Sequence, residues 1–378
     1  MRSPRALVRA YGERKGVSPL SALRNPRNPE RLRSQRGFTL PELLVAMTLT
    51  LIVTGAALTA LQDANRASEA GAVMTDVNQN LRVAMNIVIR DLLQTGQGIP
   101  TGGIPIPTGE GAAAVVRPSP DGSDWEFDPA WTTLPAVSPG PGIGQVINGV
   151  ATDAVTLLYA DPSIELNDDV NGNEVGVSVA TDGSSITIDA GSPIDSVATG
   201  VQEGDLIMIT FSGRGSAVQE VTGVSGQTIA FASTASSNLN QRDAPQGSIL
   251  AYRNDDATWP PATAARIFMI SYYLVVPTSG QITSPHFIRR VNYGDERVIA
   301  VGVENMQLTW DLVDGVTNPT NVEEPQSPNS PNQIRKANLY MAARSLEEFS
   351  RTGQYLRSSL STQVSLRSLA FVSRYDLQ

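Results

Sequence analysis

The sequence predicts an α+β protein in which a long N-terminal helix is followed by a β-rich head. Three observations carry this reading. Residues 38–61 are an apolar run, residues 62–97 keep apolar side chains at helical spacing, and beyond residue 98 short β-branched stretches alternate with Gly, Pro, Asn and Asp clusters. A chain of 378 residues has ample apolar material for a core. It contains no cysteine and one histidine, His286, which excludes disulfide frameworks, thiolate zinc sites and thiol nucleophiles.

The net charge of −9 is unevenly spread. Residues 1–36 hold ten Lys or Arg against Glu13 and Glu30, a net of +8, so the remainder carries −17. A basic arm before an apolar run places the N-terminus in the cytoplasm by the positive-inside rule and sends the acidic body across the membrane.

From Phe38 to Leu61 the only ionisable side chain is Glu42. As a helix these residues extend about 36 Å at 1.5 Å per residue, enough for a hydrocarbon core of roughly 30 Å. A secretory signal would have a shorter apolar core with its cleavage site after it. In this chain a Gly-Phe junction precedes the run. A charge near the middle of a spanning helix costs about 2.5–3.5 kcal/mol even on the lenient scale, so Glu42 calls for a partner.

Gly37, Phe38, Thr39, Leu40, Pro41, Glu42, Leu43 and Leu44, behind their basic flank, resemble the class III signal of type IV pilins and type II secretion pseudopilins. The resemblance implies that prepilin peptidase removes residues 1–37, cutting after Gly37, and that the new N-terminal Phe38 is methylated. This leader is longer than the family's common one. The resemblance also makes Glu42 the family's buried glutamate, which meets the amine of a neighbouring subunit and pins the register of helix against helix. At ~4 Å and an effective dielectric near 20 such a pair attracts by about 4 kcal/mol. Pro41 is tolerated in a first helical turn, where its missing N–H had no partner due.

Beyond the apolar run, Val73, Val77, Leu81, Ala84, Val88 and Leu92 recur at helical spacing, and Gly96 and Gly98 supply the stop. Gly55 and Gly71 are weak points, each costing ~1 kcal/mol against alanine. In pilins the partner of such a stripe is the antiparallel sheet of the head.

Residues 98–378 make the expected head. Residues 99–149 read as Pro- and Gly-rich loop around a short strand at Ala113 to Arg117. "DAVTLLYA", "SSITIDA", "GDLIMITF", "AVQEVTGV", "QTIAFAS" and "SILAYR" then read as short strands, with a β-rich insertion at about 160–253. Longer strands follow in "RIFMISYYLVVP", "HFIRRVNYG" and "ERVIAVGVENMQLTWDL", then a mobile polar loop at 314–333 and two last strands in "IRKANLYMAARS" and "SLRSLAFVSRYDL". This order is similar to the PilW-type minor pilins, and its second half also to the J-type minor pseudopilins of type II secretion.

The resemblance therefore implies a type IV pilin fold and a minor pilin subunit of a type IV pilus or its assembly-priming complex. It implies no enzymatic activity and no cofactor. The expected location is the inner membrane, single pass, with the head periplasmic, and then the filament. Expected partners are prepilin peptidase, other pilins and minor pilins, and assembly platform proteins. A minor pseudopilin of a type II secretion system is the alternative, and a pilus tip that binds DNA or a ligand is the second.

Other chemistry is thinly supported. His286 lacks a neighbouring catalytic constellation and reads as structural. "GRGSA", Gly213 to Ala217, lacks the Lys-Ser/Thr of a phosphate loop and reads as a hairpin turn. Asp169, Asn171 and Asn173 sit at the alternate spacing of a calcium loop, but Glu174 replaces the required glycine and an Asn-Gly turn explains the same residues. The last 45 residues hold seven basic side chains (Arg335, Lys336, Arg344, Arg351, Arg357, Arg367, Arg374) against Glu347, Glu348 and Asp376. That excess fits an anionic partner such as DNA, or simply a solvated strand face.

Overall fold

The computed structural model describes residues 37–169, 171–189, 194, 200–278, 284–349 and 352–369. Residues 1–36, which hold the basic arm and all of the expected leader except Gly37, lie outside the described residues, as do Arg351 and Arg374. Two compact units divide the chain, one ending at Asp63 and the other starting at Ala64.

One helix, Leu40–Gln94, runs through 55 residues. In the first unit every side chain from Phe38 to Leu61 is exposed. Thr48, Thr50 and Thr59 donate their hydroxyls to the carbonyls of Leu44, Ala46 and Gly55, four residues back, so these three hydroxyls are satisfied within the helix itself.

In the second unit the helix buries one face. Val77, Leu81, Ala84, Met85, Val88 and Leu92 join the main core, while Val73 at the head of the expected stripe stays exposed. The stop is structural. Gly96 has φ +82° and its N–H reaches Leu158 O at 2.8 Å, and a Cβ there would lie 2.7 Å from Leu369 Cδ2. Glycine suits the left-handed backbone there and leaves Leu369 its place.

Two sheets share the main core with the helix. Val303–Leu312, Ile334–Arg344 and Arg357–Ser365 form a three-stranded antiparallel sheet whose inward side chains alternate, among them Met306, Leu308, Trp310, Leu339 and Met341. An eleven-stranded antiparallel sheet is organised on Ala262–Val275. The first half of that strand pairs with Leu206–Phe211, and the second half with Ala154–Ala160 and His286–Val291.

A second core gathers side chains between Leu166 and Ala264. Ile186, Ile188, Ile209, Phe211, Ile229, Phe231 and Ile249 cluster apart from the main core, and Phe211 stacks on Tyr252 and Trp259 at 5.3 and 5.5 Å. Leu206–Phe211 divides its side chains between the two: Leu206 and Met208 enter the main core, and Ile207, Ile209 and Phe211 the second. This is why "LIMITF" is apolar at every position except Thr210 instead of alternating.

Several expected elements differ. "SILAYR" is a 3₁₀ turn, Ile249–Tyr252, in which Ile249 and Tyr252 fill the second core. "AVQEVTGV" is two strands, Gly215–Glu220 and Gly223–Ser225. The last strand among the described residues is Arg357–Ser365, and Arg367–Leu369, inside the expected "SLRSLAFVSRYDL", is a 3₁₀ turn, while residues 370–378 of that stretch lie outside the described residues. The strand expected at Ala113–Arg117 shrinks to Val116–Arg117, paired with Trp125–Glu126. Val137–Gly140, inside the Pro- and Gly-rich stretch, is a buried strand beside Ala154–Leu157. Segment 314–333 carries bonds of its own: Trp310 and Val322 exchange both backbone bonds, and Asp314 accepts the N–H groups of Val316, Thr317 and Asn318.

Candidate functional site at the start of the helix

Thr39 stands at the N-cap and Glu42 three residues on, the spacing of a capping box. The Thr39 N–H donates to Glu42 Oε2 at 2.9 Å and the Thr39 hydroxyl to the same oxygen at 2.8 Å. Leu43 N–H donates to Thr39 O at 3.1 Å, closing the first helical turn. The carboxylate therefore satisfies an otherwise orphaned N-terminal donor and lies at the positive end of the helix dipole. Pro41 occupies the second helical position, where an N–H would have found no acceptor. Sequence reasoning noticed Glu42 as a charge in lipid and missed this local role, although Thr-x-x-Glu was there to be read.

Both bonds converge on Oε2. Glu42 Oε1 accepts no hydrogen bond among the described residues. Phe38, four residues away, is 87 % exposed, and the space beside Gly37 is open for at least 4 Å. The junction is thus accessible and the carboxylate has one oxygen to offer a further donor.

The other singled-out residues are scattered through the second unit. His286 begins strand His286–Val291, half-buried, facing Val275 and Val301 in register. Gly213 lies in the turn between Leu206–Phe211 and Gly215–Glu220. Asp169 accepts the N–H groups of Asn171 and Asn173, both at 2.8 Å, and the Asn173 side-chain amide at 3.0 Å. These bonds hold its carboxyl down at about 2. The asparagines turn amide nitrogens toward it, so the three residues make a closed turn, and no cluster of metal-ligating side chains occurs among the described residues.

The basic C-terminal residues are partly engaged. Arg357 pairs with Glu304 at 2.7 Å, Arg344 lies 4.0 Å over the Tyr355 ring, and Arg335 donates to the Asn332 and Ile334 carbonyls.

A buried acid on the helix is the second feature missed. Asp91 falls on the apolar stripe, where Tyr272 and Arg289 meet it.

Residues 32–58 match the prokaryotic N-terminal methylation motif. This is a type IV pilin-like signal, of the kind prepilin peptidase processes, and a long apolar helix follows it. The motif family is structural rather than catalytic. No curated protein and no solved structure matches the chain significantly. Among the described residues one helix is long and apolar enough to cross a membrane, consistent with a single anchor.

Proposed function

We propose that a chain bearing this methylation signal is a minor pilin, cut between Gly37 and Phe38, methylated on Phe38 and built into a type IV pilus or the complex that primes it. The carrying observation is the unused Oε1 of Glu42 at the start of a helix whose first 24 residues from Phe38 bury nothing. An apolar surface of that extent needs lipid or other helices around it. A carboxylate with one free oxygen accommodates the amine that cleavage creates on a neighbouring subunit.

On this reading the basic arm faces the cytoplasm, the helix holds the subunit in the inner membrane and the head, with its pilin-like order of helix then antiparallel sheet, is periplasmic. Prepilin peptidase, other pilins and the assembly platform are the partners. The same signal fits a minor pseudopilin of type II secretion, and copurification with secretion-core components instead of pilus components decides for that branch.

Mass spectrometry of the membrane-extracted protein tests the proposal. The expected mass lacks residues 1–37 and carries one added methyl at Phe38. An intact leader in cells with an active peptidase overturns it.

A further inference from the structure

Arg117 is a buried charge without a counter-charge in contact. It is 5 % exposed, held by the short strand pair Val116–Arg117 and Trp125–Glu126. Its Nη1 donates to Pro139 O at 3.1 Å, its guanidinium lies 4.9 Å over the Phe127 ring, and its Nε is buried with no acceptor. No ion pair engages it among the described residues. Burial pulls its pKa down to about 10, so it is still charged at neutral pH. Gly140 keeps room for it, since a Cβ there would lie 3.1 Å from Nη1 and 2.9 Å from Ala154 O. Buried guanidinium groups ordinarily have a carboxylate beside them, because an unpaired buried charge is costly.

Arg117 lines a cavity of about 460 Å³, together with Trp125, Trp131, Glu126, Asp128 and Glu324. A second cavity of about 490 Å³ continues from it, sharing Trp131, Asp128 and Glu324. These carboxylates have no ion pair either among the described residues. Glu324 is half-buried, and burial together with the neighbouring Asp128 charge raises its pKa, while the Arg117 charge acts on it from beyond contact distance. The cleft therefore holds a cation and carboxylates that feel one another's charge but make no contact ion pair among the described residues.

An anion alone would relieve Arg117 and be repelled by the acids. A cation alone would do the reverse. A molecule carrying both charges satisfies both, and tryptophan faces favour an ammonium group placed against them. We propose that this cleft binds a small zwitterion, with its carboxylate or phosphate against Arg117 and its ammonium between the tryptophan rings, against Asp128 and Glu324. The proposal is independent of how the subunit assembles.

The test titrates the full-length protein, in a non-ionic maltoside detergent, with phosphoethanolamine and with alanine, following tryptophan fluorescence. Inorganic phosphate and ethylamine serve as the separate halves. At least one zwitterion should give a saturable change, with each half binding at least about tenfold more weakly. Phosphoethanolamine as the tighter ligand points to a lipid headgroup source, and alanine to an amino acid or peptide source. Arg117→Met and Glu324→Gln should each weaken binding about tenfold or more at an unchanged melting temperature. Glu324→Gln, on a half-exposed loop residue, carries the test if the Arg117 variant does not fold. The proposal is overturned if neither zwitterion binds, if phosphate or ethylamine alone binds as well as the zwitterion, or if folded variants bind undiminished.

Discussion

Tyr272 Oη donates to Asp91 Oδ2 at 2.5 Å, tying the helix to strand Ala262–Val275 at a buried point. Arg289, directly opposite Tyr272 on the neighbouring strand, donates its Nε to the same oxygen at 2.8 Å. Because the acceptor is charged and the phenol buried, Tyr272→Phe should lower stability by about 1.5–3 kcal/mol in denaturant unfolding. Asp91→Ala should cost more, since it strands both Tyr272 and Arg289. A Tyr272→Phe loss below about 0.5 kcal/mol would show that the bond contributes little.

Burial, helped by nearby carboxylates, also raises the pKa values of Tyr272, Tyr273 and Tyr293 above their ordinary value of 10.0. A group raised in the folded state contributes stability that is complete below the unfolded value and is lost as pH rises toward the folded one. The melting temperature of the second unit should therefore hold up to about pH 10 and fall above it, more gently in Tyr272→Phe and Tyr273→Phe. A fall beginning near pH 8 would assign alkaline sensitivity to other groups.

At the helix start, Thr39 and Glu42 should separate by role. Thr39→Val keeps the backbone bond to Oε2 and loses the hydroxyl bond, so insertion and filament incorporation should change little. Glu42→Gln keeps a hydrogen-bonding oxygen but removes the charge, so the subunit should insert normally and incorporate poorly. Quantifying each variant in sheared filaments and in membranes checks this, and full incorporation of Glu42→Gln would remove charge pairing from the assembly account.

Beyond their chain neighbours and the backbone of their own helical turns, Gly55 and Gly71 have no atom within 4 Å of where a Cβ would stand. Alanine at either position should raise helix stability by about 1 kcal/mol and leave membrane insertion intact. If neighbouring helices approach closely there, as small residues in membrane helices permit, incorporation falls instead of rising. We expect that fall for Gly55→Ala, measured by the same fractionation; incorporation at or above wild type would place Gly55 away from any helix interface.

Phe211→Ala should destabilise the second core by about 3–5 kcal/mol. Hydrogen exchange should then quicken first in Ser185–Ile188 and Thr228–Ala230, whose Ile186, Ile188 and Ile229 share that core. Leu206→Ala, on the same strand but facing the main core, should quicken exchange in Ala154–Ala160 instead. Identical exchange patterns in the two variants would mean that the cores unfold as one.

What the sequence makes legible is chemistry that acts over a few neighbours. The methylation signal, the apolar run, the stripe from Val77 to Leu92 and the stop at Gly96 all depend on short-range spacing, and they appear where expected. Contacts across the chain stay hidden. Asp91 finds its partners, Tyr272 and Arg289, only through the fold, 181 and 198 residues away in sequence. Ile249–Tyr252 has strand-like residues, but it caps the second core as a turn. Val137–Gly140 contains Pro139, which argues against a strand, and becomes one because Ala154–Leu157 lies alongside. Arg117 enters the sequence reading only as the end of a short strand, and Gly140, Pro139 and Phe127 together enclose it.

Strand Ala262–Val275 belongs to both halves of the head. Excising the smaller lobe would bare the ladder donors and acceptors that Leu206–Phe211 now covers, leaving a sticky border apt to recruit foreign strands. The region around the second core is therefore joined to the rest by a strand that serves both, and removing one side exposes the other's ladder.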